Sequence, residues 1–430
     1  MVTESNTVTL KKHLTITHAV ALVVGMVVGA GYLIIPGLAY RTAGAVALWA
    51  WLANGLVVLP LLVIFARIGA AHPSAEGLSG YFGLAFGTHA CHAIQTLVLA
   101  TFILAMPAIA IVGGQYACFV MSWPAPAMFG VATIFFFAAG AANVQGIVIS
   151  SRIQNGLAFT LFAILLLVAG ASLYYGAHPG LSDPSNALPS LGNLMENGPV
   201  LGTVFFAFIG WEMLSFASEE FRNPKRDFPL ALFISYVLVM VLYVSVALAI
   251  QWNLADTDPL LTSSPISALL QKIFGRGFAV GLGALAVVIV FANINGATLA
   301  VSRLVYASAR SGLLPRKLAT LNPQSQVPSG AIVGITGCFI LMVGLVAFGF
   351  TSQAFLFRVA GKTFLLVYLL SALAYLKLSK STLESVLGGG AILICLTVAS
   401  TYGADVVFPL FVFFTSIVLS AALDYFAGSR

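Results

Sequence analysis

Blocks of apolar residues, each about 20 residues long, recur along the whole 430-residue chain. A helix of that length crosses a hydrocarbon layer of roughly 30 Å. Only 7% of the residues are charged and 60% are hydrophobic, whereas a soluble domain carries about 25% charged residues. A buried core cannot explain this difference, because a soluble protein of this size needs a polar surface. The sequence therefore predicts an all-α polytopic membrane protein.

Twelve apolar blocks predict twelve transmembrane helices. Residues 1–13 are polar and include Lys11 and Lys12, so we expect them to form a cytoplasmic N-terminal segment. The third and eighth blocks exceed the length of a simple span, so we expect tilted or projecting helices there. The blocks lie near residues 14–38, 44–66, 88–119, 127–144, 156–176, 198–220, 229–251, 277–308, 328–348, 354–377, 382–402 and 405–427.

The positions of Lys and Arg predict the orientation, because short cytoplasmic loops are enriched in these residues. With a cytoplasmic N-terminus, fourteen of the 19 Lys and Arg lie inside and five lie outside. We therefore expect both termini in the cytoplasm. The net charge of +6 does not indicate a nucleic-acid partner, because no basic run is interleaved with aromatic residues. The five outer residues are Arg41, Lys272, Arg276, Arg358 and Lys362.

The first block contains the stretch VVGAGYLIIPG, in which Gly29, Gly31 and Pro36 weaken the helix. Broken backbone at membrane depth is tolerated only where it is buried in protein or lines a cavity. The interruption therefore predicts a cavity with free N–H and C=O groups. For Gly25 and Gly29 alone, a GxxxG packing face between helices is the alternative.

The sixth block has its own interruption at Gly210, followed by Trp211 and Glu212. Inverted-repeat transporters place paired discontinuous helices at the midplane, one in each repeat. The first and sixth helices must run in opposite directions, because a five-helix unit contains an odd number of crossings. We expect a first unit at 14–176, an inverted second unit at 198–377 and two additional helices at 382–427.

The groups freed by the two interruptions match the charged ends of an amino acid. The N–H groups of Ala30 and Gly31 lie at the positive end of a half-helix, which suits a carboxylate. Carbonyl groups around Val28 and Phe208 suit an ammonium group. Glycine lets a ligand approach the backbone closely. The sequence therefore predicts an amino-acid binding site at the interruptions.

Glu212 is the acidic residue that the sequence places deep within a predicted span. A carboxylate there costs roughly 2.5–3.5 kcal/mol on insertion scales, and burial favours its neutral form. Glu212 is therefore a candidate for proton coupling or gating. The alternative is a structural carboxyl group that accepts hydrogen bonds across the break. Phe206 and Trp211 flank the interruption, and Phe206 is the candidate lid over a bound side chain.

The sequence does not favour an enzyme, because no nucleophile with a base, metal-ligand cluster or phosphate loop is present. The four cysteines are scattered singly, so we expect neither a metal nor a cofactor. A channel would need a continuous polar lining, and a sensor would need a soluble output domain. Neither feature is found, and the pattern favours a carrier.

Four motifs resemble those of the amino acid–polyamine–organocation superfamily. The resemblance covers residues 14 to about 380, and the stretch NPKRDFP is similar to that of bacterial neutral amino-acid exporters for methionine and branched-chain residues. The motifs are VGAGYLIIPG in the first helix, FFAFIGWE in the sixth, EEFRNPKRDFP after it and SRLVYASARSGLLP after the eighth.

This resemblance implies the LeuT fold, a 5+5 inverted repeat with discontinuous helices 1 and 6 and two C-terminal helices, together with alternating access. It implies that Phe206 is the gating aromatic residue. It also implies one residue set on the carboxylate side of the site and one set around the amino group. The carboxylate side is implied to consist of Val28, Gly29, Ala30 and Gly31. The amino group is implied to meet Phe208, Ile209 and Gly210.

Two departures from the family pattern affect the pocket and the coupling ion. Tyr32 and Leu33 stand where relatives usually have Ile-Phe, which changes the outer contour of the pocket. Several relatives carry a helix 5 Lys in place of a sodium ion, but no Lys or Arg lies between Arg152 and Arg222. Helix 5 has Thr160, Leu161 and Phe162 on that face.

Three sources of coupling stay open. Thr298 and Ser302 on the eighth helix are candidate sodium ligands with helix 1 carbonyls. Protonation of Glu212 is the second source, and simple exchange or facilitated export is the third. The charged segment 219–229 is either a solvated loop or an inner gate whose ion pairs form and break.

The apolar character of Phe206, Ile209 and Trp211 predicts neutral, aliphatic or thioether L-amino acids as substrates: methionine, leucine, isoleucine and valine. The alternative is an exchanger or a proton-coupled uptake system for cationic amino acids or polyamines, because Glu212 suits a cation. We expect a multi-pass protein of the bacterial cytoplasmic membrane, as a monomer or homodimer, with the lipid bilayer as its surroundings.

Overall fold

The computed structural model describes most of the chain. The predicted site residues Gly29 and Phe206 lie outside the described residues, as do residues 1–13. Between 156 and 171, the structure describes residues 156, 160, 163, 164, 167, 170 and 171. The described residues are otherwise 14–28, 30–71, 78–146, 200–201, 204–205, 207–258, 261, 265–275, 277–323, 325–400 and 407–428.

The described residues form helices, with one isolated parallel bridge between Leu14 and Phe221. Thirteen α-helices have complete bounds within them, and a 3₁₀ helix spans Trp211–Glu220. The α-helices are α1 Ile16–Val27, α2 Ala30–Ala43, α3 Ala47–Ala71, α4 Leu78–Phe86, α5 Thr88–Met121, α6 Ala127–Val144, α7 Pro224–Asn253, α8 Pro265–Phe274, α9 Gly277–Arg310, α10 Ser329–Ala347, α11 Gln353–Leu378, α12 Thr382–Ser400 and α13 Val407–Gly428.

Eight segments of the described residues are long and apolar enough to cross a membrane, which confirms a polytopic, all-helical membrane protein. The fifth predicted span falls on residues of which only a few are described. The count of twelve spans and the division into inverted units therefore stay predictions. The eight segments are Leu33–Ala71, Thr88–Cys118, Ala127–Val144, Pro224–Asn253, Gly283–Arg310, Ser329–Ala347, Phe355–Leu378 and Thr382–Ser400.

The helices divide into a buried centre and an apolar periphery. Most side chains of α5, α9 and α11 are buried, and aromatic contacts such as Phe102 against Phe364 join the central helices. Helices α10 and α12 expose large aliphatic side chains, including Val333 and Leu393. An apolar outer face is stable in lipid, where no polar surface is required. Helix α9 packs against α1 and the 3₁₀ helix, and α7 packs against α1, α2 and the 3₁₀ helix.

Candidate functional site

The first helix is interrupted directly after Val27. Helix α1 ends there, Val28 has non-helical dihedral angles (φ −83°, ψ 73°), and α2 begins at Ala30. The N–H group of Val28 donates to the carbonyl of Val24 at 2.9 Å. Helix α2 continues through Pro36 to Ala43. The predicted role of Pro36 in the interruption is therefore wrong, and the break lies before it.

The carbonyl groups at the end of α1 accept hydrogen bonds from side chains on other helices. The last four carbonyls of an α-helix have no partner within the helix. The Nδ2 atom of Asn293 on α9 lies 3.3 Å from the carbonyl oxygen of Gly25. The hydroxyl group of Tyr243 on α7 lies 2.9 Å from the carbonyl oxygen of Val27. The broken end of α1 is thus tied to two long helices.

The second interruption is centred on Gly210. Two tight turns precede it, in which the N–H groups of Ala207 and Phe208 donate to carbonyls three residues earlier at 3.0 and 2.9 Å. Ile209 and Gly210 have no regular structure, and the 3₁₀ helix begins at Trp211. Gly210 has φ 121°, a conformation that residues with a Cβ atom rarely adopt. The glycine predicted to break this helix is required by the backbone.

Tyr243 brings the two interruptions together. Its hydroxyl oxygen lies 2.9 Å from the carbonyl oxygen of Val27 and 2.8 Å from that of Ala207. The side chain is fully buried, and its ring packs against Trp51 and Phe208. Sequence reasoning missed Tyr243. The available signal was a hydroxyl group in the middle of an apolar span, because a buried tyrosine hydroxyl usually finds a hydrogen-bond partner.

Glu212 is fully buried beside the second interruption. Its Oε2 atom accepts hydrogen bonds from the Gly210 N–H group at 3.1 Å and from the Tyr368 hydroxyl group at 2.5 Å. Its Oε1 atom has no hydrogen-bond partner among the described residues, and none of the ion pairs between described residues involves Glu212. Tyr368 on α11, the second residue that sequence reasoning missed, holds this carboxyl group across the break.

The aromatic residues at the second interruption are packed rather than free. The ring of Phe208 lies 5.3 Å from that of Tyr243 and 6.0 Å from that of Trp51. Trp211 is also fully buried and lies 6.2 Å from Tyr236, measured between ring centroids. Ile209 is only partly buried. The backbone of this segment, more than its rings, is therefore available for binding a small polar group.

The start of α2 provides the N–H groups predicted to receive an anion. Ala30 and Gly31 form its first turn. The first four N–H groups of an α-helix have no acceptor within the helix and carry its positive end. Leu33, at the predicted outer contour, is buried, and its carbonyl accepts a long hydrogen bond of 3.5 Å from Tyr116.

The predicted sodium ligands Thr298 and Ser302 are both buried on α9. The Ser302 hydroxyl group donates to the carbonyl of Leu299 at 2.8 Å and accepts from the Arg303 guanidinium group at 3.0 Å. A guanidinium group this close opposes a sodium ion at Ser302, because like charges repel strongly where water is excluded. The hydroxyl oxygen of Thr298 has no partner within the described part of the chain.

Arg303 forms a buried ion pair with Glu220 at the end of the 3₁₀ helix. Its Nε atom lies 2.7 Å from Glu220 Oε1, and both side chains are 2% exposed. Arg310, about two turns further along the same face of α9, lies 3.5 Å from Glu219 in a more exposed pair. The Leu14 N–H group donates to the Glu220 carbonyl at 2.9 Å. The predicted gate segment is thus fastened both to α9 and to Leu14, two residues before α1.

Two basic residues that the orientation count treats as flanking charges lie buried within helices. Arg303 is 1% exposed on α9 and Lys362 is 5% exposed on α11. Thr160, on the helix that lacks a cation, is exposed, and its hydroxyl group donates to the Gly156 carbonyl at 2.9 Å. These two buried basic side chains of the described residues thus lie on α9 and α11, and not on the predicted fifth helix.

A bundle of apolar helices with two neighbouring backbone interruptions is the architecture of a membrane transport protein. The sequence pattern of the amino acid permease family matches residues 14–425, so the chain belongs to that family, within the amino acid–polyamine–organocation superfamily. Its members are transporters rather than enzymes, and the resemblance seen in the four motifs is confirmed.

Relatives with assigned names extend along nearly the whole chain. The uncharacterized amino acid permease YecA of Bacillus subtilis is 26% identical, over 93% of each chain. The L-methionine/branched-chain amino acid exporter YjeH of Escherichia coli is 26% identical, over 92% of each chain. The serine/threonine exchanger SteT of Bacillus subtilis is 27% identical, over 75% of this chain and 74% of its own. The relatives thus handle different amino acids.

Proposed function

We propose that this protein is a secondary-active transporter of neutral L-amino acids with aliphatic or thioether side chains, working by alternating access. One observation carries the proposal: the carbonyl oxygens of Val27 and Ala207, one from each interrupted helix, lie within hydrogen-bonding distance of the same hydroxyl oxygen. Carbonyl groups of both interruptions are therefore close enough together to bind one small ligand.

The two ends of an amino acid have separate partners in this arrangement. The carboxylate binds the N–H groups at the start of α2, at Ala30 and Gly31, together with Val28 and Gly29. The ammonium group binds carbonyls of both interruptions, that of Val27 at the end of α1 and those from Ala207 to Gly210. Each charged end then meets the helix terminus of opposite partial charge, which stabilises both.

The apolar surroundings favour a neutral side chain. Phe208 and Trp211 are fully buried, and Ile209 packs against the hydrophobic core. Together with Phe206 as a lid, they leave few polar partners for a charged substrate side chain. Similarity to a methionine and branched-chain exporter supports methionine, leucine, isoleucine and valine as substrates and export as the direction.

Glu212 is the proposed proton-coupling group. It has no cationic partner among the described residues, and a carboxyl group in that position exchanges a proton more readily than one fixed in an ion pair. Sodium coupling through Thr298 and Ser302 is the less favoured alternative, because Arg303 lies against Ser302. The free Oε1 atom of Glu212 supports one second function, exchange or proton-coupled uptake of cationic amino acids or polyamines.

We place the protein in the bacterial cytoplasmic membrane with both termini inside, as a monomer or homodimer. The distribution of Lys and Arg supports this orientation. The pair between Glu220 and Arg303 then lies toward the cytoplasmic side and is suited to closing the inner end of the pathway.

Counterflow in proteoliposomes tests the proposed function. Vesicles contain unlabelled leucine or methionine, and labelled leucine is added outside, with and without sodium and at two pH values. We expect transient accumulation of label that neutral amino acids block and that Gly31→Leu abolishes. The control is Gly130→Leu, since a side chain at Gly130 enters open space. Accumulation driven by arginine or a polyamine, but by no neutral amino acid, contradicts the substrate class and favours the alternative.

A further inference from the structure

The Tyr243 hydroxyl group faces more acceptors than it can serve. Its oxygen lies within 2.9 Å of two carbonyl oxygens, those of Val27 and Ala207. A tyrosine hydroxyl carries one proton and donates one hydrogen bond at a time. At any moment one of these carbonyls therefore needs another donor.

Among the described residues, no backbone N–H group donates to either carbonyl, because the helices are interrupted. In a continuous α-helix, the carbonyl of Val27 would accept from residue 31 and that of Ala207 from residue 211. Tyr243 is fully buried, and Ala207 and Val27 are only 2% and 4% exposed. A buried carbonyl without a donor is strongly unfavourable. A substrate ammonium group has three N–H donors and serves both carbonyls at once.

The phenol ring has little freedom to move away. It packs edge-on against Trp51, with ring centroids 5.0 Å apart, and perpendicular to Phe208 at 5.3 Å. Phe208 itself belongs to the second interruption. The hydroxyl group is therefore held at the junction of the two broken helices, in the position where a donor is needed.

We propose that Tyr243 is a positioning residue that substitutes for the substrate ammonium group in the unloaded carrier. This inference rests on the proposed transport function. Without substrate, the hydroxyl group alternates between the two carbonyls and keeps the interruptions stable while the carrier reorients. With substrate, the ammonium group supplies the donors and the hydroxyl group is dispensable.

This role predicts a split between two modes of transport. In exchange, the carrier reorients only when it is loaded. In net efflux into amino-acid-free buffer, it must also return unloaded, through a state in which water cannot satisfy the carbonyls. Removing the hydroxyl group therefore slows net efflux and leaves exchange intact. The leucine concentration for half-maximal exchange stays unchanged or falls, because the unloaded form is the one that loses stability.

Tyr243→Phe in proteoliposomes tests this inference, with labelled leucine as the probe. We expect leucine net efflux to fall by about tenfold, the effect of one buried group left without its hydrogen bond, while equilibrium exchange changes less than twofold. The control is Tyr236→Phe, which removes a hydroxyl group from the same helix. That hydroxyl group donates to the Gly55 carbonyl at 2.9 Å, and the ring that packs against Trp211 is kept in the variant. Both fluxes of this control should match the wild type.

Three outcomes would overturn the role of Tyr243. Equal slowing of both modes indicates a purely structural hydroxyl group, and unchanged net efflux indicates that the group is not needed. A tenfold rise in the half-saturating leucine concentration indicates direct contact with substrate. Absence of leucine counterflow in the wild-type protein contradicts the proposed function instead.

Rescue covers the case in which Tyr243→Phe does not fold. Replacing the hydroxyl group by an amino group, in Tyr243→4-aminophenylalanine, keeps a donor at the same position and provides two N–H groups. We expect this variant to retain net efflux close to that of the wild type. A tenfold loss of net efflux in this variant would contradict the proposal, because the variant keeps a hydrogen-bond donor at this position.

Discussion

Two buried carboxyl groups lie eight residues apart on the segment after the second interruption, and their surroundings differ. Glu220 faces the Arg303 guanidinium group at 2.7 Å. Glu212 accepts hydrogen bonds only from an N–H group and a tyrosine hydroxyl group, and its Oε1 atom has no partner among the described residues. One carboxyl group has a fixed counter-ion, and the other has neutral partners.

This difference supports the separate roles that we propose for the two groups. A carboxylate paired with a buried guanidinium group is held in place, because removing either partner leaves the other unpaired in low dielectric. A buried carboxyl group with neutral donors has no such constraint and is free to take up a proton. Glu220 therefore fastens the 3₁₀ helix to α9, while Glu212 is the group suited to coupling.

The largest effect on stability is expected from breaking the paired carboxylate. Arg303→Met leaves the Glu220 charge buried alone and should lower the free energy of unfolding by about 3–5 kcal/mol. The double variant Arg303→Met with Glu220→Leu should recover most of this loss, because both charges are gone. Unfolding in mixed detergent micelles, followed by tryptophan fluorescence, measures both. A single variant as stable as the wild type would show that the pair is dispensable.

A smaller loss is expected at the interruption itself. Gly210 has φ 121°, so Gly210→Ala should lower the free energy of unfolding by about 1–3 kcal/mol through backbone strain. The matched control is Gly130→Ala in α6, where a Cβ atom meets open space. The same unfolding titration applies to both variants. Equal stability of the two would show that the left-handed conformation at Gly210 is not required.

Glu212→Gln should change stability by less than about 2 kcal/mol, because the amide oxygen still accepts from Gly210 and Tyr368. Its main effect is on pH dependence. If Glu212 carries the coupling proton, net leucine transport in the wild type changes with an imposed pH gradient, and transport by the variant does not. A variant that responds to the gradient as the wild type does would assign coupling to another group.

The smallest effect is expected at the outer pair of the same segment. Arg310 and Glu219 are partly exposed and 3.5 Å apart, so Arg310→Gln should cost less than about 1 kcal/mol. A loss as large as that of Arg303→Met would remove the contrast between the two pairs. The unfolding titration in mixed micelles serves here as well.

Local patterns predicted the eight membrane-spanning segments of the described residues and the interruptions, because both depend on neighbouring residues. Apolar runs of fixed length predict crossings, and Gly210 marks its break through a dihedral angle that it alone adopts readily. The misplaced role of Pro36 has a simple cause. Proline lacks one N–H donor, and α2 tolerates that loss within a continuing helix.

The partners of the site could not be predicted, because they come from distant parts of the chain. Tyr243 meets Val27 across 216 residues, and Tyr368 meets Glu212 across 156. Nothing in the local sequence of α7 or α11 specifies these contacts. The count of Lys and Arg treats Arg303 as a charge that flanks the spans. Its burial could not be predicted either, because it depends on Glu220, 83 residues earlier.

The central claim is that the two interruptions recognise the two charged ends of one amino acid. Competition in the leucine counterflow assay tests it most directly, with leucine amide, which lacks the carboxylate, and 2-hydroxy-4-methylpentanoate, which lacks the ammonium group. The account predicts that each analogue competes at least about tenfold more weakly than leucine, because buried backbone groups are left without partners. Competition by either analogue as strong as that by leucine would contradict it.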